Sequence, residues 1–422
     1  MPHIMPARGG KFSIKADYRS PESRLEWIEC ILISLGAFGL GLGLSLIPQV
    51  LLIAPAIYRL VTDAGSRKFE FRHTTIILLT LAGWMALSAI PAVRPFAAWG
   101  GAVGTALSGW VVFRAVRTVM IEKKVYKINP GFIFLGSACI GAVYTMRNYI
   151  SALIRGRGYY RAALAYINPN TAGTIFCVAA LVTLGCFHNA SRRGKLILIP
   201  VMILLISALI ATQSRGAFVA FIVGFAVYVL FGGRSRRDTL IKTVALASLI
   251  LIVVLCLRIN PSVSKRYARI LSPALNKDRL EIWKTALLMM KDRPVLGVGF
   301  NNFIDIYPLY PHPEGSGKSM SMAHNIFLEF GATTGVPGLI LFTVIVVLGI
   351  SKGIKGIIKT GSSSNLPITT LSVFVAVMTH LQFDITADSG NTLPLFFVPY
   401  SMLMLLDEWL GLRTGEDDRG EN

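Results

Sequence analysis

Segment 147–161 contains four arginines and no acidic residue. A guanidinium group is planar and permanently charged, so it matches pairs of phosphate oxygens better than the ammonium group of lysine does. We therefore predict that this segment binds a pyrophosphate group, through Arg147, Arg155, Arg157 and Arg161. The alternative is a surface patch that contacts anionic lipid headgroups.

Arg215 lies in residues 212–217 (TQSRGA), a short turn between two strongly apolar stretches. Its charge needs a partner at the membrane face, and a phosphate fits the guanidinium geometry. An arginine in such a turn can also extend its side chain to lipid headgroups without any catalytic role. Further arginines in a long later loop are candidates for the same anion site: Arg266, Arg269 and Arg279.

One of the six histidines is placed to act as a general base on the side of these arginines. His324 begins an apolar span, in residues 322–331 (MAHNIFLEFG). The others map to the opposite side of the membrane, to a Pro-rich loop or to the interior of a span: His3, His73, His188, His312 and His380. A positioned base contributes about 10²–10⁴-fold to a rate. The alternative is that His324 only caps its helix at the membrane interface.

The remaining candidate residues map to the same side of the membrane as the arginines. Asn325 and Glu329 follow His324 on its span, and we expect them to support it by positioning or by packing. His380 and Asp384 are four residues apart on one helix face, which predicts a hydrogen bond between them. Asp388 follows as a further possible supporting group. A metal site needs more ligands at tighter spacing, so no metal is expected.

These residues must be positioned by membrane-spanning helices. Hydrophobic residues make up 53% of the 422 and the mean hydropathy is +0.60. Several apolar runs reach the length of about 20 residues that crosses a bilayer. The predicted fold is an all-α polytopic integral membrane protein with about twelve transmembrane helices. The predicted spans lie near residues 27–44, 46–61, 73–90, 95–113, 131–147, 171–187, 196–211, 217–232, 243–258, 325–350, 366–384 and 392–411.

The charge distribution predicts the orientation of these spans. The net charge is +20, and most of the 42 lysines and arginines fall in short loops on one side, so both termini are expected in the cytoplasm. Segment 147–161 is then a short outward loop that departs from this rule. The predicted regions are a cytoplasmic tail (1–26), nine spans (27–258), a periplasmic loop (259–323), three spans (324–411) and a cytoplasmic acidic tail (412–422).

The insertion at 259–323 lies between the ninth and tenth spans, and a loop of this length is more often functional than idle. Its residues 278–290 carry apolar side chains at helical spacing: Leu280, Trp283, Leu287 and Met290. This spacing predicts an amphipathic helix on the membrane surface. Residues 294–300 (PVLGVGF) are expected to turn at their glycines.

Four motifs, in this order, resemble those of the O-antigen ligase and polymerase superfamily of membrane glycosyltransferases of the GT-C type. They are NPN at 168–170, SRG at 214–216, a helix from residue 279 leading into PVLGVGFNNF at 294–303, and HNIFLEFGATTGVPG at 324–338. We also expect NPN to cap the sixth span. The similarity covers residues 168–350 best, and the first five spans match only by hydropathy. The size and the single late loop resemble those of the ligases.

The resemblance implies an inverting glycosyl transfer at the periplasmic face of the bacterial inner membrane. The donor would be O-antigen on undecaprenyl pyrophosphate and the acceptor lipid A-core oligosaccharide, among membrane lipids and without nucleic acid, metal, nucleotide or other cofactor. The arginine and histidine of the family motifs correspond to Arg215 and His324. Arg147 and Arg161 match by position only.

Three alternatives remain open. An O-antigen polymerase would share the chemistry and differ in its acceptor. A protein O-oligosaccharyltransferase would use a protein hydroxyl as acceptor. A transporter of lipid-linked glycans would bind pyrophosphate without cleaving it, and would be expected to carry charged residues near the membrane midplane.

Overall fold

The structure is a computed structural model that describes residues 23–44, 47, 49–54, 56–57, 73–122, 128–157, 160–164, 167–232, 277–311, 320–361, 363–385 and 393–417. These residues form α-helices and connecting turns, and none of them forms a strand. The helices, numbered in chain order, are α1 (Arg24–Leu42), α2 (His73–Ser88), α3 (Pro95–Met120), α4 (Pro130–Ile154), α5 (Pro169–Asn189), α6 (Arg192–Ala211), α7 (Arg215–Phe231), α8 (Lys277–Asp292), α9 (Phe303–Ile306), α10 (Ile326–Thr360), α11 (Leu366–His380), α12 (Leu393–Met404) and α13 (Leu406–Asp417).

The all-helical prediction is confirmed, whereas the number of twelve spans stays a prediction. Within the described residues, five helices are long and apolar enough to cross a membrane, or six if the bent pair of α12 and α13 counts as one span. The five are α1, α3, α5, α6 and α10. The predicted ninth span (243–258) lies outside the described residues and the second (46–61) is described only in part.

Several helices begin where a polar side chain accepts a hydrogen bond from the first turn. Asn129 caps α4 and Asn168 caps α5, and each is followed by a proline at the first helical position. Ser191 and Ser214 cap α6 and α7 in the same way. These caps satisfy backbone N–H groups that have no partner within the helix. The prediction that NPN caps its helix is therefore confirmed.

The helices run back and forth between two ends of a bundle. The ends of α4, α6 and α11 lie at the same end as the starts of α5, α7 and α10, since Ala162 N–H donates to Ala211 (3.1 Å) and Ile326 N–H donates to Leu381 (2.9 Å). We call this the front end and the opposite one the back end.

In the interior, α11 packs against α5 and α7. A Cβ at Gly224 of α7 would lie 2.8 Å from the Ser372 carbonyl oxygen of α11, so this close contact requires glycine.

The back end holds a closed network of charged side chains. Buried Glu29 of α1 accepts a hydrogen bond from Thr118 of α3 (3.1 Å) and lies 3.9 Å from the guanidinium group of Arg114. Two further ion pairs, both at 2.9 Å, extend the network: Arg114–Glu122 and Arg117–Glu408. The network connects α1, α3 and α13.

Helix α10 is interrupted at Gly335, where φ is 72°. The carbonyl groups just before the break accept hydrogen bonds from outside the helix: Ala332 from Val298 N–H (2.8 Å), Thr333 from Gly299 N–H (3.1 Å) and Thr334 from the Trp84 indole (2.8 Å). The loop after α8 therefore lies in the break. It turns at Gly297 and Gly299, both with positive φ, as predicted.

The predicted amphipathic helix is confirmed as α8, but its apolar residues divide between two faces. Ile282, Ala286 and Met289 are buried in a small core with Val298 and residues of α9 and α10. The predicted apolar residues Leu280 and Leu287 are exposed. The sequence therefore predicted the helix, while the face that packs on the protein is the adjacent one.

Candidate functional site

His324 is held rigidly at the front end, immediately before α10. Its backbone is in the left-handed region, with φ 53°. The preceding Ala323 N–H donates to the Glu329 carboxylate (2.6 Å), and the following Asn325 caps α10 by accepting hydrogen bonds from Phe327 and Leu328 N–H. Asn325 and Glu329 therefore fix the backbone on both sides of the imidazole, which is the supporting position that the sequence suggested.

The partner of His324 is Asp384, four residues after the end of α11. The His324 Nδ1 atom lies 3.1 Å from Asp384 Oδ1, and the two side chains are 28% and 12% exposed. Burial alone would raise the pKa of Asp384, but hydrogen bonds from His324 and Asn170 and the nearby charge of His380 outweigh it and lower the pKa. An ionised carboxylate only accepts hydrogen bonds, so Nδ1 carries the proton and the lone pair lies on Nε2.

The second oxygen of Asp384 extends this contact into a relay. Asn170, near the start of α5, donates from Nδ2 to Asp384 Oδ2 (2.5 Å). The Asn170 Oδ1 atom accepts from the Arg161 guanidinium (2.5 Å), and Arg161 Nε also donates to the Thr212 carbonyl (3.2 Å). We call the chain Arg161–Asn170–Asp384–His324 the relay. It joins three parts of the chain that are distant in sequence: residues 161–170, His324 and Asp384.

The prediction of a hydrogen bond between the side chains of His380 and Asp384 is wrong. His380 is buried, and its Nδ1 atom lies 3.1 Å from the Thr174 hydroxyl of α5. That hydroxyl donates to the Asn170 carbonyl (3.0 Å), so it accepts from His380. Asp384 lies beyond the last helical turn, and only its backbone N–H bonds to the His380 carbonyl. The helical spacing that motivated the prediction ends before it reaches Asp384.

The turn that carries Arg215 packs against the same region. Arg215 is the first residue of α7 and is half-buried. A Cβ on Gly216 would lie 2.9 Å from Phe383 Cβ and 3.3 Å from His380 Cδ2, so the backbone of this turn touches the end of α11. The turn is held by the Gln213 side chain, which donates to the Tyr160 carbonyl (2.9 Å). Arg215 and Arg161 thus belong to one packed front-end structure.

Arg279 reaches this region from the loop helix α8. It is half-buried, and its charge acts on His380, so α8 brings a third arginine toward the relay. The loop is anchored by the break in α10 and by a bidentate ion pair between Arg94 and Asp305, the closer contact at 2.6 Å. Because two separate contacts fix the loop, Arg279 is presented from a defined position.

The other predicted arginines lie apart from the relay. Arg147 is exposed on α4, and Arg155 and Arg157 are exposed just after the end of that helix. They share the segment of Arg161 but not its contacts. Asp388, His312, Arg266 and Arg269 lie outside the described residues.

No group of three potential metal ligands occurs within the described part of the chain. What the site offers instead is an imidazole with a carboxylate partner, at an end of the bundle to which three different segments bring the arginines Arg161, Arg215 and Arg279. A base of this kind can accept a proton, and the guanidinium groups can bind phosphate oxygens. Sequence reasoning found His324, Arg161, Arg215 and Arg279, and it missed the roles of Asp384 and Asn170.

Residues 200–343 match the family model described as O-antigen ligase. Over this part of its length the chain is similar to the O-antigen ligase family. The similarity supports a glycosyltransferase-type membrane enzyme. The matched third of the chain contains Arg215, Arg279 and His324, whereas Arg161, Asn170 and Asp384 lie outside it. A search of curated proteins finds no match for the chain.

Proposed function

We propose that this protein acts as an O-antigen ligase, which transfers O-antigen polysaccharide from undecaprenyl pyrophosphate to lipid A-core oligosaccharide. The reaction takes place at the front end, which faces the periplasm, in the inner membrane of a bacterium with both termini of the protein in the cytoplasm. The observation that carries the proposal is the His324–Asp384 contact beside Arg161, Arg215 and Arg279. It pairs a base with an anion site, which is what transfer from a glycosyl pyrophosphate needs.

The base in this reaction is His324 Nε2. It accepts the proton from the acceptor hydroxyl while that oxygen attacks the anomeric carbon of the donor. The bond between this carbon and the pyrophosphate oxygen breaks, and its electron pair leaves with the lipid pyrophosphate. Attack opposite the leaving group inverts the anomeric configuration. Asp384 keeps Nδ1 protonated and stabilises the imidazolium that forms.

The arginines bind the donor and stabilise its leaving group. Negative charge develops on the pyrophosphate as the glycosidic bond breaks, and fixed guanidinium groups stabilise it without reorganisation. Arg215 and Arg279 are assigned this role, together with Arg161 at the end of the relay. The exposed Arg147, Arg155 and Arg157 are assigned only a weaker attraction of the anionic donor to this face of the protein. The charges on the arginines allow transfer without a metal ion or nucleotide.

The test is transfer by the purified protein from lipid-pyrophosphate-linked O-antigen to lipid A-core, with EDTA and without nucleotide. Wild type is compared with His324→Ala and Arg215→Ala, and with Lys284→Ala as control. Among the described residues, Lys284 pairs only with Glu281, on the exposed side of α8. We expect transfer by wild type and by the control, a loss of about 10²–10⁴-fold in His324→Ala, and a loss in Arg215→Ala.

The other outcomes each point to a different function. Full activity of His324→Ala would contradict its assignment as base. Lengthening of the lipid-linked glycan without conjugate would identify a polymerase, and transfer to a protein hydroxyl would identify an O-oligosaccharyltransferase. Binding of the donor without cleavage would favour a transporter.

A further inference from the structure

Asn170 lies between two charged groups of opposite sign. Its Oδ1 atom accepts from Arg161, and its Nδ2 atom donates to Asp384, each at 2.5 Å. The backbone around it is fixed, because Asn168 caps α5 and Pro169 occupies the first helical position. The Asn170 carbonyl also accepts from Thr174. The amide is therefore anchored with its acceptor toward the arginine and its donor toward the carboxylate.

This arrangement differs from the usual outcome for an arginine near a carboxylate. A guanidinium group and a carboxylate form a bidentate ion pair when both can reach each other, and that contact is stronger than a neutral hydrogen bond. In the described part of the chain the side-chain partners of the Asp384 carboxylate are His324 and Asn170. Arg161 reaches the carboxylate only through the amide.

We propose that Asn170 is a positioning residue that separates Arg161 from Asp384, so that the carboxylate serves His324. The proposal rests on the proposed function. An amide suits this place because it has a donor and an acceptor but no charge. It makes a hydrogen bond to each neighbour and keeps the guanidinium group off the carboxylate. A direct ion pair between Arg161 and Asp384 would weaken the hold of Asp384 on the imidazole.

The other charged and titratable groups that act on Asp384 come from two more elements. His324 precedes α10, and His380 is the last residue of α11. Arg279 of α8 acts on His380 in turn. These groups remain in place when Asn170 is replaced, so a change caused by Asn170 can be assigned to the contact between Arg161 and Asp384.

The test measures the protonation of His324 without relying on catalysis. Diethyl pyrocarbonate modifies neutral imidazole, and peptide mass spectrometry follows modification of His324 as a function of pH. The measurement compares wild type, Asn170→Ala, Arg161→Gln and the double variant. We expect Asn170→Ala to change the pH dependence of modification, because Arg161 then pairs with Asp384 and draws the carboxylate away from the imidazole. The double variant should return the midpoint to that of wild type, since no guanidinium remains to pair with Asp384.

A purely structural role for Asn170 predicts a different pattern. The midpoint would then stay unchanged in Asn170→Ala, or its shift would persist in the double variant, and either result would overturn the proposal. Asn168→Ser is the matched control, because it keeps the helix cap and does not touch Asp384. If Asn170→Ala does not fold, Asn170→Ser replaces it, since serine is too short to bridge and the same shift is expected.

Kinetics of the same variants connect this inference to transfer. Asn170→Ala should lower kcat by less than the loss of about 10²–10⁴-fold expected on removal of the base itself, because Asn170 acts only through Asp384. If wild type shows no transfer, the proposed function fails, but the modification experiment still decides the role of Asn170. If transfer occurs and the midpoint does not move, only the inference on Asn170 fails.

Discussion

Charged side chains are buried at both ends of the bundle, but they are satisfied in different ways. At the back end, Glu29 and Arg114 face each other, and the neighbouring arginine and glutamate side chains form further ion pairs. At the front end, the relay passes through an uncharged amide and ends on an imidazole that is 28% exposed. The back-end groups pair with one another, whereas the front-end chain ends on a partly exposed base, which can serve chemistry.

The comparison is tested most strongly by removing the charge of one aspartate at each end. We expect Asp384→Asn to lower the transfer rate by about 10²–10⁴-fold, because the amide no longer selects the tautomer with the lone pair on Nε2. The matched control is Asp407→Asn at the back end, where Asp407 pairs with Lys352 and Lys359. The control should transfer at nearly the wild-type rate. Equal losses in both variants would mean that the two ends do not differ in function.

For the back-end network we expect a loss of stability without a loss of transfer activity. Glu29→Ala removes the buried acceptor of the Thr118 hydroxyl, while Arg114 keeps Glu122, and loss of a buried hydrogen-bond partner costs about 1–3 kcal/mol of stability. Thermal unfolding in detergent should show this loss, while the rate of transfer per folded molecule stays unchanged. A rate that falls with intact stability would assign a catalytic function to the back end.

Glycine substitutions compare packing at the front end with an open helix surface. Gly216→Ala places a Cβ 2.9 Å from Phe383 and 3.3 Å from His380, and overpacking of this kind costs about 1–3 kcal/mol. Gly104→Ala on α3 meets no atom within 4 Å and should raise stability by about 0.5–1 kcal/mol through helix propensity. Unfolding of both variants in detergent measures the difference. Equal stabilities would contradict the close contact between α7 and the end of α11.

The sequence pointed to individual candidate residues but not to the partners that the fold brings to them. His324, Arg215 and Arg279 lie in local motifs, so their types and their positions relative to apolar spans were informative. Asp384 lies 60 residues from His324 and Asn170 lies 214 residues from Asp384, and no local spacing connects them. The pairing appears only when α5, α10 and α11 meet at the front end. The spacing of apolar residues in 278–290 likewise predicted a helix without predicting which of its faces packs on the protein, as α8 shows.

The break in α10 could be predicted only in part. The Gly-Val-Pro-Gly sequence at 335–338 marks a position where a helix is easily interrupted. That the loop after α8 fills the break depends on hydrogen bonds between Val298 and Ala332 and between Gly299 and Thr333, which no local pattern contains. Long-range contacts of this kind depend on the assembled bundle.

A smaller effect is expected in the acid dependence of stability. The pKa of Asp384 is lowered from its ordinary value of 3.8 in the folded protein, chiefly through the hydrogen bond from His324. The contribution of this carboxylate to stability is therefore fully present above pH 3.8 and is lost as the pH falls through the lowered value. Asp384→Asn should show a flatter decrease of stability in this acidic range than wild type does. Unfolding measured at a series of pH values checks it, and identical slopes would contradict the lowered pKa.

The smallest effect is expected for the exposed arginines of segment 147–161. Arg155→Gln and Arg157→Gln, combined, remove two exposed charges that make no ion pair with a described residue, so stability should change by less than about 0.5 kcal/mol. The KM for the anionic donor should rise only slightly at low ionic strength, and this difference should vanish in high salt because exposed charges are screened. Arg161→Gln should instead raise the KM at every salt concentration, since Arg161 is bound in the relay. A rise in KM that is independent of salt in the Arg155 and Arg157 double variant would show that these arginines contact the pyrophosphate directly. The distinction between these exposed arginines and Arg161 of the relay would then be wrong.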